Sequence, residues 1–359
     1  MTMQANTSTT NPLSRDLDSV LECTHELWDE LRGTSVFITG GTGWIGSWLL
    51  ESFCWANSRL NLHARATVLT RNPQAFVASS PHLALDPAIT LTAGDVRTFW
   101  SPNGHFSHII HGASESSAKL NRENPALMFD TIVGGTRRAL DFAAACGTRN
   151  FLLISSGAVY GPQPADLSHV PETFLGGPDP LNPDSAYHEG KRAAELECVL
   201  VGRSAGINIK VARCFTFVGP YMKLDAHFAI GNFIRDYLKG GPILVQGDGS
   251  AVRSYMYMTD LVVWLWTILL RGAAARAYNV GSEDAISIAE LAQEVAHVLL
   301  PPAQVEIMGR IASGTAAQRY VPSTRQAQVE LGLRQQVSLQ EAIRKTHAWF
   351  ARRQAYVAA

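Results

Sequence analysis

The stretch of sequence that decides the fold is SVFITGGTGWIG, residues 35–46. A short apolar run suited to a buried β-strand leads into glycines, and WIGSWLLESFCWA then has helical periodicity. Glycine permits a sharp turn and close approach to a pyrophosphate, and the N-terminus of the next helix offers N–H groups. The glycine spacing, G-x-x-G-x-x-G from Gly40, therefore predicts a dinucleotide-binding loop. The expected cofactor contacts here are Gly40, Gly43, Trp44, Ile45 and Gly46.

Short apolar runs recur along the chain and alternate with helical patterns. We expect further strands at 66–70, 89–96, 108–114, 150–156 and 207–215. Such alternation predicts an α/β protein with a Rossmann-type doubly wound parallel sheet and a smaller C-terminal α+β substrate-binding region. The predicted parts are an N-terminal extension with an amphipathic helix (1–33), a dinucleotide-binding Rossmann domain (34–215) and a mainly substrate-binding region (216–359) interleaved with it. The N-terminal helix should pack either on the body or on a partner.

Composition excludes several classes of protein. The 359 residues include 30 Lys+Arg and 31 Asp+Glu, a balance that argues against a nucleic-acid-binding or anionic-membrane-binding surface. The longest apolar run, Leu261 to Leu270, is about half the length of a membrane span. Five cysteines without metal-ligand spacing predict no metal site and reduced thiols in a cytoplasmic protein. The N-terminus does not have the pattern of a secretory signal.

The residues after the second and third strands bear on the choice of cofactor. An acidic residue after the second strand would favour NAD, but the chain has Arg71 there. Arg71 could pair with the 2′-phosphate of NADP, lie over the adenine, or be a solvated loop residue. Asp95, followed by Val96, is placed to reach the adenine amino group. We therefore predict NAD as the cofactor, with NADP as the alternative that Arg71 suggests.

Tyr187 and Lys191 are spaced one helical turn apart, so their side chains share a face. A nearby ammonium favours the phenolate, which should lower the pKa of Tyr187 and make it an acid/base near neutral pH. Ser156 ends the strand before this helix and should bring a hydroxyl to the same crevice. We predict that these three residues are catalytic.

In this order and at these separations, the glycine loop, Ser156 and the Tyr187/Lys191 pair resemble the extended short-chain dehydrogenase/reductases. More narrowly, they resemble the NAD-dependent epimerase/dehydratase family acting on nucleotide sugars, over about residues 35–345. Further matches are HGAS after the fourth strand, GGT in the next helix, and GDGSAVRSY and YNVG late in the chain.

This resemblance implies a shared first step, in which a sugar hydroxyl is oxidised to a ketone. Tyr187 would remove the hydroxyl proton, Ser156 would hold the same oxygen, and Lys191 would hold the nicotinamide ribose. His111 and Ala113 would join the cofactor site. The partner is a nucleotide-diphosphate sugar, bound by Ser156, Thr216, Asn232 and Arg253, with Arg253 on the diphosphate. Helices around 129–146 and 185–202 would form a homodimer.

The reaction that follows the ketone stays open at this point. A 4,6-dehydratase needs an acid and a base after Ser156, but the chain has Gly157 and Ala158. The strand end SSGAVYG favours a 4-epimerase, which we rank first. A 4-ketoreductase is second and a glucuronate decarboxylase third, although YHEGKR resembles the decarboxylase version of the catalytic helix. Ile132 and Thr216 replace asparagines usual in the family, which puts the substrate in doubt. A cofactor-binding scaffold that has lost its chemistry is the non-enzyme alternative.

Overall fold

The computed structural model describes residues 11–114, 118–226, 228–310 and 317–358. In these residues the main sheet has seven parallel strands in the order β11-β6-β5-β4-β1-β2-β3. Those strands are β1 (Ser35–Thr39), β2 (Arg65–Thr70), β3 (Ile89–Ala93), β4 (His108–His111), β5 (Asn150–Ser156), β6 (Asn208–Cys214) and β11 (Arg276–Val280). The six strands expected from the sequence are all present, and the predicted Rossmann-type fold is confirmed.

Helices cover both faces of this sheet, and others lie beyond it. The α-helices of the described residues, in chain order, are α1 (Ser14–Thr24), α2 (Trp44–Arg59), α3 (Pro73–Ser79), α4 (Pro81–Ala84), α5 (Ala118–Glu123), α6 (Pro125–Ala145), α7 (Ala186–Ala205), α8 (Ala229–Leu238), α9 (Met258–Arg271), α10 (Ile288–Val298), α11 (Arg325–Leu331) and α12 (Leu339–Ala358). One hydrophobic cluster joins α6 and α7 to the sheet, and another joins α1, α2 and α9 to its opposite face. The apolar run inside α9 is a buried helix, as predicted. Within the described ranges, no helix is both long and apolar enough to cross a bilayer.

The N-terminal helix packs on the body of the protein. Its apolar face, including Leu17, is buried against α2 and α9, and Trp28 lies 4.9 Å from Trp266 between ring centroids. The buried carboxylate of Asp16 accepts a hydrogen bond of 2.7 Å from Tyr257. The α-helix ends at Thr24 and continues as a 3₁₀ helix, so the single helix expected up to Gly33 is two segments.

The remaining strands form small sheets beyond residue 215. They are β7 (Phe217–Val218), β8 (Ile243–Val245), β9 (Val252–Arg253), β10 (Met256–Tyr257), β12 (Ile286–Ser287), β13 (Val305–Ile307) and β14 (Arg319–Tyr320). In the described residues β10 pairs with β7, β13 with β8, and β9 with both β12 and β14. A third hydrophobic cluster holds α8, α10 and α12 together here. Because α9 packs on the main sheet and β11 is one of its strands, the region beyond residue 215 is interleaved with the Rossmann domain.

Candidate active site

The glycine loop between β1 and α2 leaves no room for side chains. Gly40 has φ +75°, and a Cβ on it would lie 2.6 Å from the carbonyl carbon of Gly112. A Cβ on Gly46 would lie 2.2 Å from the carbonyl oxygen of Gly40. The Gly43 N–H donates to that same oxygen at 3.1 Å, and no side chain caps α2. The loop therefore presents bare backbone and a helix N-terminus, which suits the pyrophosphate of a dinucleotide.

The side chains of Trp44 and Ile45 at the start of α2 pack into the protein. The Trp44 Nε1–H donates to the carbonyl oxygen of Pro220 at 2.8 Å, and Trp48 donates to the same oxygen at 3.1 Å. The Ile45 side chain packs against the large hydrophobic cluster. Both residues stay predicted cofactor contacts, with α2 held in place by their side chains.

The residues predicted near the adenine gather after β2 and β3. Asp95 accepts hydrogen bonds from the Arg97 backbone N–H at 2.9 Å and from its guanidinium at 3.0 and 3.1 Å. These bonds, together with the nearby charge of Arg71, hold the pKa of Asp95 below its usual value. Val96 is buried against Gly135, where a Cβ would meet it at 2.8 Å. Sequence reasoning missed Arg97, which follows Asp95 closely.

His111 lies at the end of β4, beside the glycine loop, but its side chain is enclosed. Thr136 donates to the carbonyl of Ile132 at 2.7 Å, so it accepts from His111 Nε2 at 3.1 Å. The other ring nitrogen, Nδ1, then accepts from Thr39 at 2.8 Å, and Thr39 accepts from the Ala113 N–H at 3.1 Å. Burial lowers the pKa of His111 to about 3, so the ring is neutral. The side chain therefore supports the glycine loop through Thr39. A contact between His111 and the cofactor stays a prediction.

The three predicted catalytic residues meet at the carboxyl end of β5. Lys191 is buried, and its Nζ donates to the carbonyl oxygen of Ile154 at 2.8 Å. The same Nζ lies 5.9 Å from the centroid of the Tyr187 ring, and the Tyr187 phenol lies near the Ser156 hydroxyl, which acts to lower its pKa. A Cβ on Gly112 would lie 3.0 Å from the Ile154 side chain. Since Gly112 also borders the glycine loop, the three catalytic candidates adjoin the predicted cofactor crevice.

The expected lowering of the Tyr187 pKa is not found. Burial raises the pKa of Tyr187, and its hydrogen bond with Ser156 only partly opposes this. Burial also lowers the pKa of Lys191 to about 8. The physical reason is that Lys191 directs its ammonium to the Ile154 carbonyl, while both groups are desolvated.

Gly157 and Ala158, the two residues that follow Ser156, carry no acidic or basic side chain. The ring of Phe215 occupies the space above Gly157, where a Cβ would come within 2.6 Å of it. The Ala158 N–H donates to Ser156 Oγ at 3.2 Å. The position therefore cannot supply an acid–base pair, and a larger residue at Gly157 would require Phe215 to move.

Tyr320 is a site residue that sequence reasoning missed. Its hydroxyl lies 3.4 Å from Ser156 Oγ, and its ring lies 4.6 Å from the Phe215 ring between centroids. It stands on β14, opposite Arg253 on β9. No motif around it points to the site, because only the long-range pairing of β9 with β14 brings it there.

Two of the predicted substrate residues, Arg253 and Thr216, lie on β9 and directly before β7. Arg253 donates to the backbone carbonyls of Val252 at 2.8 Å and Gln318 at 3.1 Å, and burial lowers its pKa. A half-buried guanidinium that donates only to neutral carbonyls in these bonds suits a diphosphate. Thr216 precedes β7, and its carbonyl accepts from the Met256 N–H at 3.1 Å.

Asn232 lies on α8, and its side chain is engaged by a residue that sequence reasoning missed. Arg235 Nη1 donates to Asn232 Oδ1 at 2.9 Å. The amide N–H groups of Asn232 are donors that suit a phosphate oxygen. The assignment of Asn232 to the substrate remains a prediction.

A polar network lies under the catalytic residues. Ser155 donates to Glu195 at 2.6 Å, and Arg213 pairs with the same carboxylate at 2.7 Å. Arg213 also donates to the Tyr160 hydroxyl at 2.8 Å, which in turn donates to Asn279 at 2.8 Å. This network joins β5, α7, β6 and β11, and so fixes the strand end that carries Ser156.

Comparison with known proteins shows the family to which the chain belongs. Residues 36–281 match the family model described as the NAD dependent epimerase/dehydratase family. The chain belongs to that family. Its resemblance to the family, its enzymatic class and its NAD dependence, as predicted from the sequence, are thereby confirmed. The glycine loop, in which a Cβ on Gly40 or Gly46 would collide with backbone atoms, fits NAD.

Several relatives are UDP-glucuronic acid decarboxylases. The chain is 30% identical to UDP-glucuronic acid decarboxylase 1 of Arabidopsis thaliana over 309 residues, covering 86% of this chain and 68% of that protein. It is 30% identical to UDP-glucuronic acid decarboxylase 5 of the same plant over 312 residues, covering 86% of each.

Similar solved structures include epimerases and dehydratases. The UDP-glucose 4-epimerase of Thermus thermophilus in complex with NAD has a TM-score of 0.71 at 25% identity, covering 88% of this chain and 99% of that one. DesIV, a dTDP-glucose 4,6-dehydratase of Streptomyces venezuelae, has a TM-score of 0.74 at 24% identity, covering 90% and 98%. The second likeness concerns the fold alone.

Proposed function

We propose that this protein oxidises carbon 4 of a nucleotide-diphosphate sugar to a ketone and then reduces it from the other face, as a 4-epimerase. The observation that carries the proposal is the meeting of Ser156, Tyr187 and Lys191 at the end of β5, next to the glycine loop. The named substrates of similar proteins, UDP-glucose among them, support a nucleotide sugar.

The chemistry of the first step divides among these residues. NAD, when bound, supplies a hydride acceptor and a positively charged ring. Tyr187 takes the proton of the sugar hydroxyl, and Ser156 donates a hydrogen bond to the same oxygen as negative charge develops there. Lys191, anchored by one N–H on Ile154, has two N–H donors left for the ribose hydroxyls. Positive charge nearby opposes the effect of burial and stabilises the Tyr187 phenolate.

Epimerisation is the outcome that the described residues can complete with Tyr187 alone. Elimination across carbons 5 and 6 needs a further acid and base, and neither Gly157 nor Ala158 can transfer a proton. Decarboxylation is the second candidate, because relatives that match most of this chain at 30% identity are UDP-glucuronic acid decarboxylases. In that reaction a 4-keto group would let the neighbouring carboxylate leave as carbon dioxide.

The substrate contacts belong to the same proposal. Arg253 is assigned to the diphosphate, because it is partly buried and its donors face only neutral carbonyls in its hydrogen bonds. Asn232 is assigned to a second phosphate contact and Thr216 to the sugar. Arg71 leaves NADP as an alternative cofactor, which identification of the bound dinucleotide would decide.

We also propose a homodimer formed by α6 and α7. Apolar side chains stand exposed on these helices: Phe129, Leu196, Val199 and Leu200. Exposed apolar side chains grouped on two adjacent helices are typical of a protein interface. A cytoplasmic location is supported by the free thiols of the five cysteines.

The deciding experiment is to identify the dinucleotide released from purified protein and then to offer UDP-glucose, UDP-glucuronic acid, dTDP-glucose, GDP-mannose and CDP-glucose. Redox-neutral conversion to the 4-epimer supports the proposal, and carbon dioxide release supports the second candidate. Net reduction of added NADP⁺ by one of these C4 alcohols, which is the reverse of a ketoreductase reaction, would instead indicate a ketoreductase and contradict both.

The assignment of the base is tested with Tyr187→Phe. We expect turnover to fall about 1,000-fold while dinucleotide binding is retained, because the phenol provides the proton transfer and only part of the pocket wall. Tyr237→Phe is the matched control, since the Tyr237 hydroxyl donates to Pro301 at 3.1 Å on another part of the surface. Turnover that survived in Tyr187→Phe would show that another group is the base.

A further inference from the structure

Two phenols, and not one, lie against the Ser156 hydroxyl. That hydroxyl can donate one hydrogen bond and accept two. The Ala158 N–H uses one acceptor position at 3.2 Å, the Tyr320 hydroxyl lies 3.4 Å from Ser156 Oγ, and the Tyr187 phenol is the other neighbour of this hydroxyl. The three hydroxyls of Ser156, Tyr187 and Tyr320 therefore face one point at the end of β5.

The Tyr320 hydroxyl is not committed to a strong partner. Its contacts with Ser156 Oγ and with the carbonyl oxygen of Cys214 are both 3.4 Å, beyond the usual range for an O–H···O hydrogen bond. A substrate oxygen placed among the three hydroxyls would offer this O–H a better acceptor than either.

The backbone around Tyr320 is fixed on both sides. Tyr320 pairs with Arg253 across β14 and β9. The next residue, Val321, donates its N–H to Gln163 at 3.0 Å and accepts from the Val170 N–H at 2.9 Å. Together with the stacking on Phe215, these contacts hold the phenol in one position, which favours a preorganised donor.

Tyr320 and Tyr187 differ in their electrostatic surroundings. Burial raises the pKa of Tyr320, and the neighbouring Tyr187 raises it further, against lowering by Ser156 and Arg253. Lys191 Nζ lies 5.9 Å from the centroid of the Tyr187 ring, on the same helix α7, whereas Tyr320 lies on β14. With its pKa raised by burial, Tyr320 stays a neutral hydrogen-bond donor.

We propose that Tyr320 is a further catalytic residue, which donates a hydrogen bond to the substrate oxygen that becomes the carbon-4 ketone. This inference rests on the proposed function. In the oxidation the C4–H bond breaks and its electron pair leaves as hydride to the nicotinamide, while the hydroxyl proton passes to Tyr187. The oxygen acquires negative charge as this happens, and Tyr320 stabilises it together with Ser156 without ionising. The reduction follows the same path in reverse.

The test is Tyr320→Phe, which keeps the ring on Phe215 and removes only the hydroxyl. We expect turnover to fall about 100-fold, as for the loss of one preorganised donor, with KM changed less than about 3-fold. The melting temperature and UDP binding should stay close to wild type, as they should for the control Tyr237→Phe. Turnover within about 3-fold of wild type would overturn the inference.

A double-mutant cycle tests whether the two donors act on one oxygen. If they do, Ser156→Ala and Tyr320→Phe together should lose less than the product of their separate losses, because the second removal acts on an already weakened site. Strictly multiplicative losses of turnover would contradict a shared oxygen. Variants that slowed UDP release as much as they slowed turnover would contradict it as well. A wild-type protein that converts no nucleotide sugar would overturn the proposed function itself, whereas an active wild type with an unaffected Tyr320→Phe overturns only this inference.

Discussion

The two ends of the central strands carry matching pairs of buried cations and histidines. At the carboxyl end, Lys191 donates to the Ile154 carbonyl, and His111 lies at the end of β4. At the amino end, Lys210 donates to Asn150 Oδ1, and His108 begins β4. Burial lowers the pKa of each lysine to about 8 and brings the two histidines to about 3 and about 4.

Only one of these ends is built for catalysis. At the amino end, Lys210, Asn150, His108 and Ser107 bond to one another in a chain, so the polar groups satisfy each other. At the carboxyl end, Lys191 lies near the Tyr187 phenol, and the Ser156 hydroxyl, the Tyr320 phenol and the glycine loop adjoin the same strand end. A shifted pKa therefore indicates burial at both ends and does not by itself identify the catalytic end. What distinguishes the catalytic end is that hydrogen-bond donors, acceptors and the glycine loop meet there.

The largest expected contrast is between Lys191→Met and Lys210→Met. Methionine keeps most of the length of each side chain and removes its charge. We expect Lys191→Met to lower turnover about 1,000-fold, because the phenolate of Tyr187 loses its stabilising cation and the ribose loses its donors. Lys210→Met should stay within about 3-fold of wild type and lose at most on the order of 2 kcal/mol of unfolding free energy.

Steady-state kinetics and urea unfolding of both variants measure this contrast. Equal losses of turnover at the two positions would show that the ends of the sheet do not differ as proposed. Rescue of Lys191→Met by an added primary amine would strengthen the assignment.

A second contrast concerns the glycine loop between β1 and α2. In Gly46→Ala the new Cβ would meet the Gly40 carbonyl oxygen at 2.2 Å, so the loop must open and its backbone can no longer approach a pyrophosphate. We expect NAD affinity to fall about 100-fold, by calorimetry on protein stripped of dinucleotide. Gly241→Ala is the control, because nothing lies within 4 Å of a Cβ there. An unchanged affinity in Gly46→Ala would mean that the dinucleotide lies elsewhere.

Sequence patterns predicted the part of the site that local structure determines. The strand ends follow from apolar runs, and the Tyr187/Lys191 pair follows from the helical repeat. Sequence patterns could not predict Tyr320 as a site residue. Its position depends on the pairing of β14 with β9, and both strands are far from the catalytic helix in sequence. Packing also decided Gly157, which the sequence shows only as a missing acid and the structure shows to lie under Phe215.

The direction in which the Tyr187 pKa is shifted also depends on features that the sequence does not show. The spacing predicts a neighbouring ammonium, and it is present at 5.9 Å from the ring centroid. The sequence does not show how deeply both groups are buried or that the Ile154 carbonyl accepts from Lys191. Desolvation decides the direction and raises the pKa of Tyr187, so the predicted lowering was wrong for the protein alone.

The smallest contrast is in acid stability, where the two ends should behave alike. Hydrogen bonding fixes opposite tautomers: His108 accepts at Nε2 from Asn150 and donates from Nδ1 to Ser107, whereas His111 donates from Nε2 to Thr136. Both rings are neutral when folded, and their folded pKa values lie below the usual 6.5. The unfolded chain therefore binds more protons between about pH 4 and pH 6.5, and stability falls as the pH falls through that window.

Each histidine should thus contribute a loss on the order of 2 kcal/mol of unfolding free energy between pH 7 and pH 5. His108→Gln and His111→Gln should each flatten this dependence by a similar amount, measured by urea unfolding at both pH values. At neutral pH only His111→Gln should also weaken NAD binding, because the ring supports the glycine loop through Thr39. If His108→Gln weakened NAD binding equally, the two ends of the sheet would be coupled, and the separation between a structural end and a catalytic end would have to be abandoned.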